Sequence, residues 1–349
     1  MHKYFIGSYI ITVVGFILAY LWGEHVHSGT GLTCIFIAFV LSVLEVSLSF
    51  DNAVVNASRL ERMSPKWQHR FLTWGIIIAV FGMRFLFPLL VVAIFSHLNL
   101  IEVANMALTN ADKYAHYLHI SHPPIITFGG TFLMMLFLSY FFNSSKDVHW
   151  IGFIESKIAK FGDFKGIQVA LTLIALYIQQ HFVPSESRFE VVIAGIWGVI
   201  VYLLIDGLSH MLDKHGENLP HSSQSTGLGL KSSCFAGFLY LELIDASFSL
   251  DGVLGAFALS KDILIITIGL SIGAMFVRSL TIMLVEKKTL AQYIYLEHGA
   301  HWAIGALSCI MMFSAIKEVP EVVTGFLGLV FIVAAFISSL VHNKNQSRL

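Results

Sequence analysis

Two short stretches concentrate the residues able to do chemistry. The first is Glu45-Val46-Ser47-Leu48-Ser49-Phe50-Asp51-Asn52. The second is Asp245-Ala246-Ser247-Phe248-Ser249-Leu250-Asp251-Gly252. An offset of 200 residues lays acid on acid at 45/245, Ser on Ser at 47/247 and 49/249, and Asp on Asp at 51/251. Each stretch lies inside a long apolar run, where an ionised carboxylate is costly unless it is paired or used. Glu45, Asp51, Asn52, Glu242, Asp245, Ser249 and Asp251 make an oxygen-only candidate ligand set. Hard divalent cations such as Mn²⁺, Ca²⁺ and Mg²⁺ prefer such ligands. Neither motif contains Cys or His, which argues against a core selective for zinc or copper. The same carboxylates could instead exchange protons or hold Na⁺. Ser42 stands where Glu242 stands in the second copy, so the site is expected to be asymmetric.

Each half also carries an arginine in the apolar helix after its motif, Arg84 and Arg278. A lone guanidinium in apolar surroundings needs a partner, and the motif acids are the expected ones. Glu297-His298-Gly299-Ala300-His301 offers a secondary metal set, Glu297, His298 and His301, but its order is not that of a zinc protease. His119-x-x-His122 and the Asp206/His210 pair are weaker signals. No phosphate loop, Walker motif or nucleophilic triad order is present, so no enzymatic activity is expected.

These residues sit in a chain of 349 residues that is 56% hydrophobic and 12% charged, with a mean hydropathy of +0.76. Soluble domains carry about 25% charged residues, so the composition is that of a polytopic membrane protein. No basic stripe points to nucleic acid. The partners implied are the lipid bilayer and a metal cation, with a homo-oligomer left open. Cys34, Cys234 and Cys309 fall in apolar segments without a CxxC and read as buried hydrophobes.

Runs near the ~20 residues a spanning helix needs give ten candidates. They are about 5–22, 32–57, 71–95, 124–142, 167–182, 190–211, 233–259, 262–285, 300–316 and 321–341. With both termini in the cytoplasm, fifteen Lys and Arg fall inside and four outside, as the positive-inside rule requires. The long stretch 96–123, with His97, His116, His119 and His122, is then an external loop. Residues 143–166 read as an amphipathic helix on the membrane surface. Residues 213–231 read as a flexible linker. Three parts follow: an N-terminal membrane half (1–142), a middle part with the surface segment, two linking spans and the linker (143–232), and a C-terminal membrane half (233–349).

Five crossings separate the second and seventh spans, so the motif helices run in opposite directions. That is an inverted repeat, the arrangement in which transporters place their sites near the midplane. Asp51 lies six residues beyond Glu45, about 9 Å along a helix and on another face. The Ser-x-Asp-Asn and Ser-x-Asp-Gly runs are expected break points that expose carbonyls.

At Glu45…Ser49-Phe50-Asp51-Asn52-Ala53, and at Glu242…Asp245…Phe248-Ser249-Leu250-Asp251 followed by Arg278, the chain resembles the TerC-like family of integral membrane proteins, within the lysine-exporter superfamily. The resemblance covers about half the chain. It is closest to a branch carrying the Glu297-His298-Gly299-Ala300-His301 run. The chain departs from the family in its extra helices, in its histidine-bearing external loop and in Gly252, where the family has a polar residue. The resemblance implies efflux of metal ions, manganese in particular, and an older association with resistance to tellurium compounds. The expected protein is an all-α membrane exporter of a divalent cation, Mn²⁺ first and Ca²⁺ or Mg²⁺ next, in a bacterial inner membrane. A membrane-embedded metal-dependent enzyme and a non-transporting partner of a stress or secretion complex are the alternatives.

Overall fold

A computed structural model describes residues 2–26, 28–61, 63–96, 98–144, 146, 148–162, 164, 166–217, 229–317 and 319–346. The described chain is helical, with no strand among the described residues. In order, the elements are α1 (His2–Val26), α2 (Gly31–Leu48), α3 (Phe50–Leu60), α4 (Pro65–Ile77), a π-helical segment (Ile78–Leu86), α5 (Phe87–Ser96), α6 (Leu100–Thr109), α7 (Ala111–Phe141) and α8 (Gly152–Ala159). They continue as α9 (Ile167–Gln180), α10 (Arg188–Glu217), α11 (Gly229–Leu259), α12 (Ile263–Glu286), α13 (Thr289–Gln292), α14 (Leu296–Ser314) and α15 (Glu321–Gln346).

Six helices are long and apolar enough to cross a membrane: α1, α2, α7, α10, α12 and α15. Pro65–Gly75 and Ile78–Ile94, bent by 41° at their junction, make a seventh if they form one span. All ten expected spans fall on helices, but not all reach spanning length and hydropathy. α9 has 14 residues, about 21 Å at 1.5 Å per residue, short of a hydrocarbon core of roughly 30 Å. α1, α10 and α15 leave large apolar side chains outward, Val13, Leu204 and Phe326 among them. In water such a surface would be a liability; in lipid it is the outside of the protein.

The core lies where α7 meets α14, α3 and α11. Phe132, Leu133 and Met135 of α7 pack with Ile304 and Met311 of α14, Val54 and Val55 of α3, and Ile244 of α11. Asp262 separates α11 from α12: its Oδ1 accepts from the Leu264 and Ile265 amides, and its Oδ2 accepts from Trp22 Nε1 at 2.7 Å. An N-cap of this kind satisfies donors that the first helical turn leaves open.

The structure differs from the sequence reading in three places. The expected external loop 96–123 is mostly helical, forming α6 and the start of α7. Asn99 and Asn110 cap the two helices, each accepting a backbone N–H. The fourth span is expected to begin at 124, but Pro123 and Pro124 lie inside α7. The surface helix of 143–166 is only the eight-residue α8, with Phe153, Ile154, Phe161 and Phe164 exposed on and just after it. The helix break expected in both motifs occurs at Ser49, between α2 and α3, whereas α11 runs unbroken through Ser249 and Gly252. Much of the expected linker, residues 218–228, lies outside the described residues.

Candidate functional site

The first motif is interrupted at Ser49, where α2 ends and α3 begins. The Ser49 amide still donates to Glu45 O at 2.9 Å and the Ala53 amide to Ser49 O at 3.1 Å, so the break is one residue long. Ser49 Oγ donates to Glu45 Oε1 at 3.1 Å. Arg84 Nη2 donates to the same oxygen, and both side chains are buried. Two further donors of Arg84, on Nη1 and Nε, go to Ala79 O at 2.6 Å and Leu270 O at 3.1 Å. Ala79 lies five residues before Arg84, the spacing of a widened π turn, which explains how this guanidinium binds its own helix and Glu45 together.

The second motif is less tightly satisfied. Glu242 is buried, and neither of its carboxylate oxygens has a hydrogen-bond partner among the described residues. Arg278 Nη2 lies 3.9 Å away, and the guanidinium sits over the Phe71 ring, 4.3 Å from its centroid. Asp245 is half-buried, and its Oδ1 accepts from Asn52 Nδ2 at 2.8 Å. Asp245, Arg84, Arg278 and Asn56 line a cavity of about 20 Å³, room for about one water-sized particle.

The halves meet through reciprocal contacts. Asn52 reaches Asp245, and a Cβ at Gly252 would lie 3.0 Å from Glu45 Oε2. Gly273 lets α12 close on Glu45 and Ser42 of α2, while Gly75 of α4 lies against Glu242 and Arg278. The 45/245 and 52/252 pairs thus cross between halves. Gly273→Ala would put its Cβ 2.5 Å from Glu45 Cβ and 2.7 Å from Ser42 O. Such overpacking costs about 1–3 kcal/mol, so the thermal midpoint should fall in detergent; an unchanged midpoint would refute the close approach.

Asp51 is buried, accepts from the Asn52 amide at 2.9 Å, and faces α15, with Oδ2 3.7 Å from a Cβ built at Gly328. Ser249 is buried, with its hydroxyl unpartnered among the described residues. The Asp251 and His210 side chains lie outside the described residues. Arg84 pairs with Glu45 and Arg278 approaches Glu242, the expected partnerships of arginine and motif acid.

The three candidates of the secondary set take separate partners. Glu297 Oε1 accepts from Ser58 Oγ at 3.1 Å. His301 Nδ1 donates to Glu297 O at 2.8 Å, and its ring stacks on Tyr140 at 3.5 Å. His298 Nδ1 lies 2.9 Å from Glu155 Oε2, off the line of a good hydrogen bond. Among the described residues no three His, Cys, Asp or Glu side chains stand together as a metal-binding group.

Glu155 is a polar anchor that the sequence does not reveal. It accepts from the Trp150 amide at 2.9 Å, the Ile151 amide at 3.3 Å and Trp302 Nε1 at 2.9 Å. Burial pushes its carboxyl up, but His298, Trp302 and the Ile151 amide outweigh that and hold it down at about 2. A carboxyl depressed from 4.5 to about 2 stabilises the fold by about 3 kcal/mol, fully above pH ~4.5, and the contribution is lost as pH falls through 2. Glu155→Gln should loosen α8 at pH 7 and flatten the acid limb of the stability profile. Hydrogen exchange over 150–159 is the readout, and unchanged protection would contradict the anchor.

No curated protein and no solved structure matches the chain. A family model described as "Protein of unknown function (DUF475)" matches residues 50–346. That span takes in α3, both arginine helices and the whole second motif, so the chain belongs to the DUF475 family.

Proposed function

We propose that this protein is a membrane transporter that exports a divalent metal cation, Mn²⁺ first and Ca²⁺ or Mg²⁺ as the other candidates. One observation carries the reading. Glu45, Asp51, Glu242 and Asp245 are withdrawn wholly or partly from solvent within an apolar helical bundle, and two buried arginines, Arg84 and Arg278, accompany them. Acids gathered in such surroundings are costly to keep charged, and a bound cation is one way to offset that cost.

The reciprocal contacts of 52 with 245 and of 252 with 45 support two halves related by a two-fold axis. In this reading ten crossings, both termini in the cytoplasm and antiparallel motif helices make an inverted repeat around the acids. Asp245 and the small cavity beside it lie where the halves meet, and Asp51 and Asp251 extend the path to either side. The resemblance of both motifs to TerC-like proteins favours manganese, and an inner bacterial membrane is the proposed location.

Purified protein tests the ion. A bound cation stabilises by mass action, so Mn²⁺ should raise the thermal midpoint saturably. Ca²⁺ and Mg²⁺ should act more weakly and Zn²⁺ without selectivity. Stabilisation by none of the four would remove the cation site.

A further inference from the structure

A second, much larger cavity lies at the other end of α3 from the acid cluster. Its volume is about 650 Å³, within the range of small-molecule sites and large for a single ion. Arg59, Tyr140, Lys146, Tyr202, Asp206 and Glu297 are among its lining residues. We propose that this cavity binds a small organic or inorganic oxyanion, a carboxylate or phosphate, with Arg59 as its anchor.

The sign of the ligand follows from which charge is satisfied. Glu297 already accepts from Ser58. Arg59 is the exception. Among the described residues its guanidinium makes one hydrogen bond, to Tyr240 Oη at 3.3 Å, and the Glu297 carboxylate attracts it. Its Cζ lies over the Tyr240 ring, 4.7 Å from the centroid. The remaining N–H donors of a guanidinium form a fork, the geometry that binds carboxylate and phosphate bidentately. Lys146 adds a second positive charge to the same cavity. Arg59 and Lys146 stand with Asp206 and Glu297 in this lining, a mixed set of charges unlike the acid cluster. Tyr140 carries His301 on one face and has Lys146 Nζ over its ring, which holds that ammonium at the cavity wall.

Arg59 lies seven residues after Asn52 on the same helix, about 10 Å along its axis. An anion held there fixes the helix that also carries Asp51 and Asn52. The proposal stands without the cation reading, since its test uses no metal.

The experiment is calorimetric titration of the purified full-length protein with inorganic phosphate, succinate and citrate, at constant ionic strength with chloride as reference. At least one oxyanion should bind saturably and raise the thermal midpoint. Binding of phosphate alone identifies a phosphate site; binding of the carboxylates identifies an organic-acid site. Arg59→Gln should weaken binding at least about tenfold, and Arg59→Lys, which keeps charge but loses the fork, by less. Asp206→Asn, which removes a negative charge from the wall, should tighten binding about threefold and gives a readout if the Arg59 variants do not fold. The proposal is overturned if all three anions act no differently from chloride, if Arg59→Gln binds like the wild type, or if Asp206→Asn leaves affinity unchanged.

Discussion

Cells expressing Asp51→Asn, Asp245→Asn or Asp251→Asn should accumulate manganese after a Mn²⁺ challenge as though the transporter were absent. Each change keeps size and an acceptor oxygen but removes one charge. At position 245 the retained Oδ1 can still accept from Asn52 Nδ2, so the packing between halves should survive. At an effective dielectric of about 20, a unit charge about 4 Å away contributes roughly 4 kcal/mol per charge met. Even a third of that is about tenfold in affinity. Glu45→Gln should also abolish export, but with some loss of folded protein, because Glu45 is the ionic partner of Arg84. Cys34→Ala lies outside the oxygen set and should leave export unchanged. Intracellular manganese at matched expression is the measurement. Wild-type levels in Asp51→Asn and Asp245→Asn cells would make both stretches structural.

The second large effect is on stability. Arg84→Ala strands a fully buried Glu45 carboxylate and frees the Ala79 and Leu270 carbonyls. Breaking a buried pair by removing one partner costs about 3–5 kcal/mol. Arg84→Lys keeps the charge but lacks the fork that reaches three acceptors on three helical segments, so its loss should be smaller yet measurable. Adding Glu45→Gln to Arg84→Ala should restore part of the stability, because the stranded charge is gone. Arg278→Ala should cost less, since its acid lies 3.9 Å away and its Nε has no hydrogen-bond partner among the described residues. Equal melting of wild type and Arg84→Ala in detergent would contradict the buried pair.

Much of this was legible because burial of charge is so restrictive. One arginine and several acids per apolar half leave few arrangements, and the pairing of Arg84 with Glu45 is one of them. Periodicity puts Asp51 on another face than Glu45 in a regular helix, but the helix breaks between them at Ser49. What periodicity cannot give is the partner across a helix pair. The crossing of Asn52 to Asp245, and the glycines at 75, 252 and 273 that let backbones reach carboxylates, depend on how α2, α4, α11 and α12 stack. Glu155 misled for a different reason. In water an acid among phenylalanines would face solvent, but here Phe153 is exposed while Glu155 turns inward to Trp302 and His298. The break at Ser49 without one at Ser249 has the same lesson: similar motifs take different backbones when their neighbours differ.

The most direct test of the cation reading is flux through the purified protein in sealed liposomes loaded with a manganese-quenched dye. The account predicts saturable Mn²⁺ movement by the wild type, competed by excess Ca²⁺ or Mg²⁺ outside, and no movement above empty liposomes for Asp51→Asn or Asp245→Asn protein that remains folded. Wild-type liposomes that pass no Mn²⁺, Ca²⁺ or Mg²⁺ beyond the empty control, or variants that pass them at the wild-type rate, would contradict it.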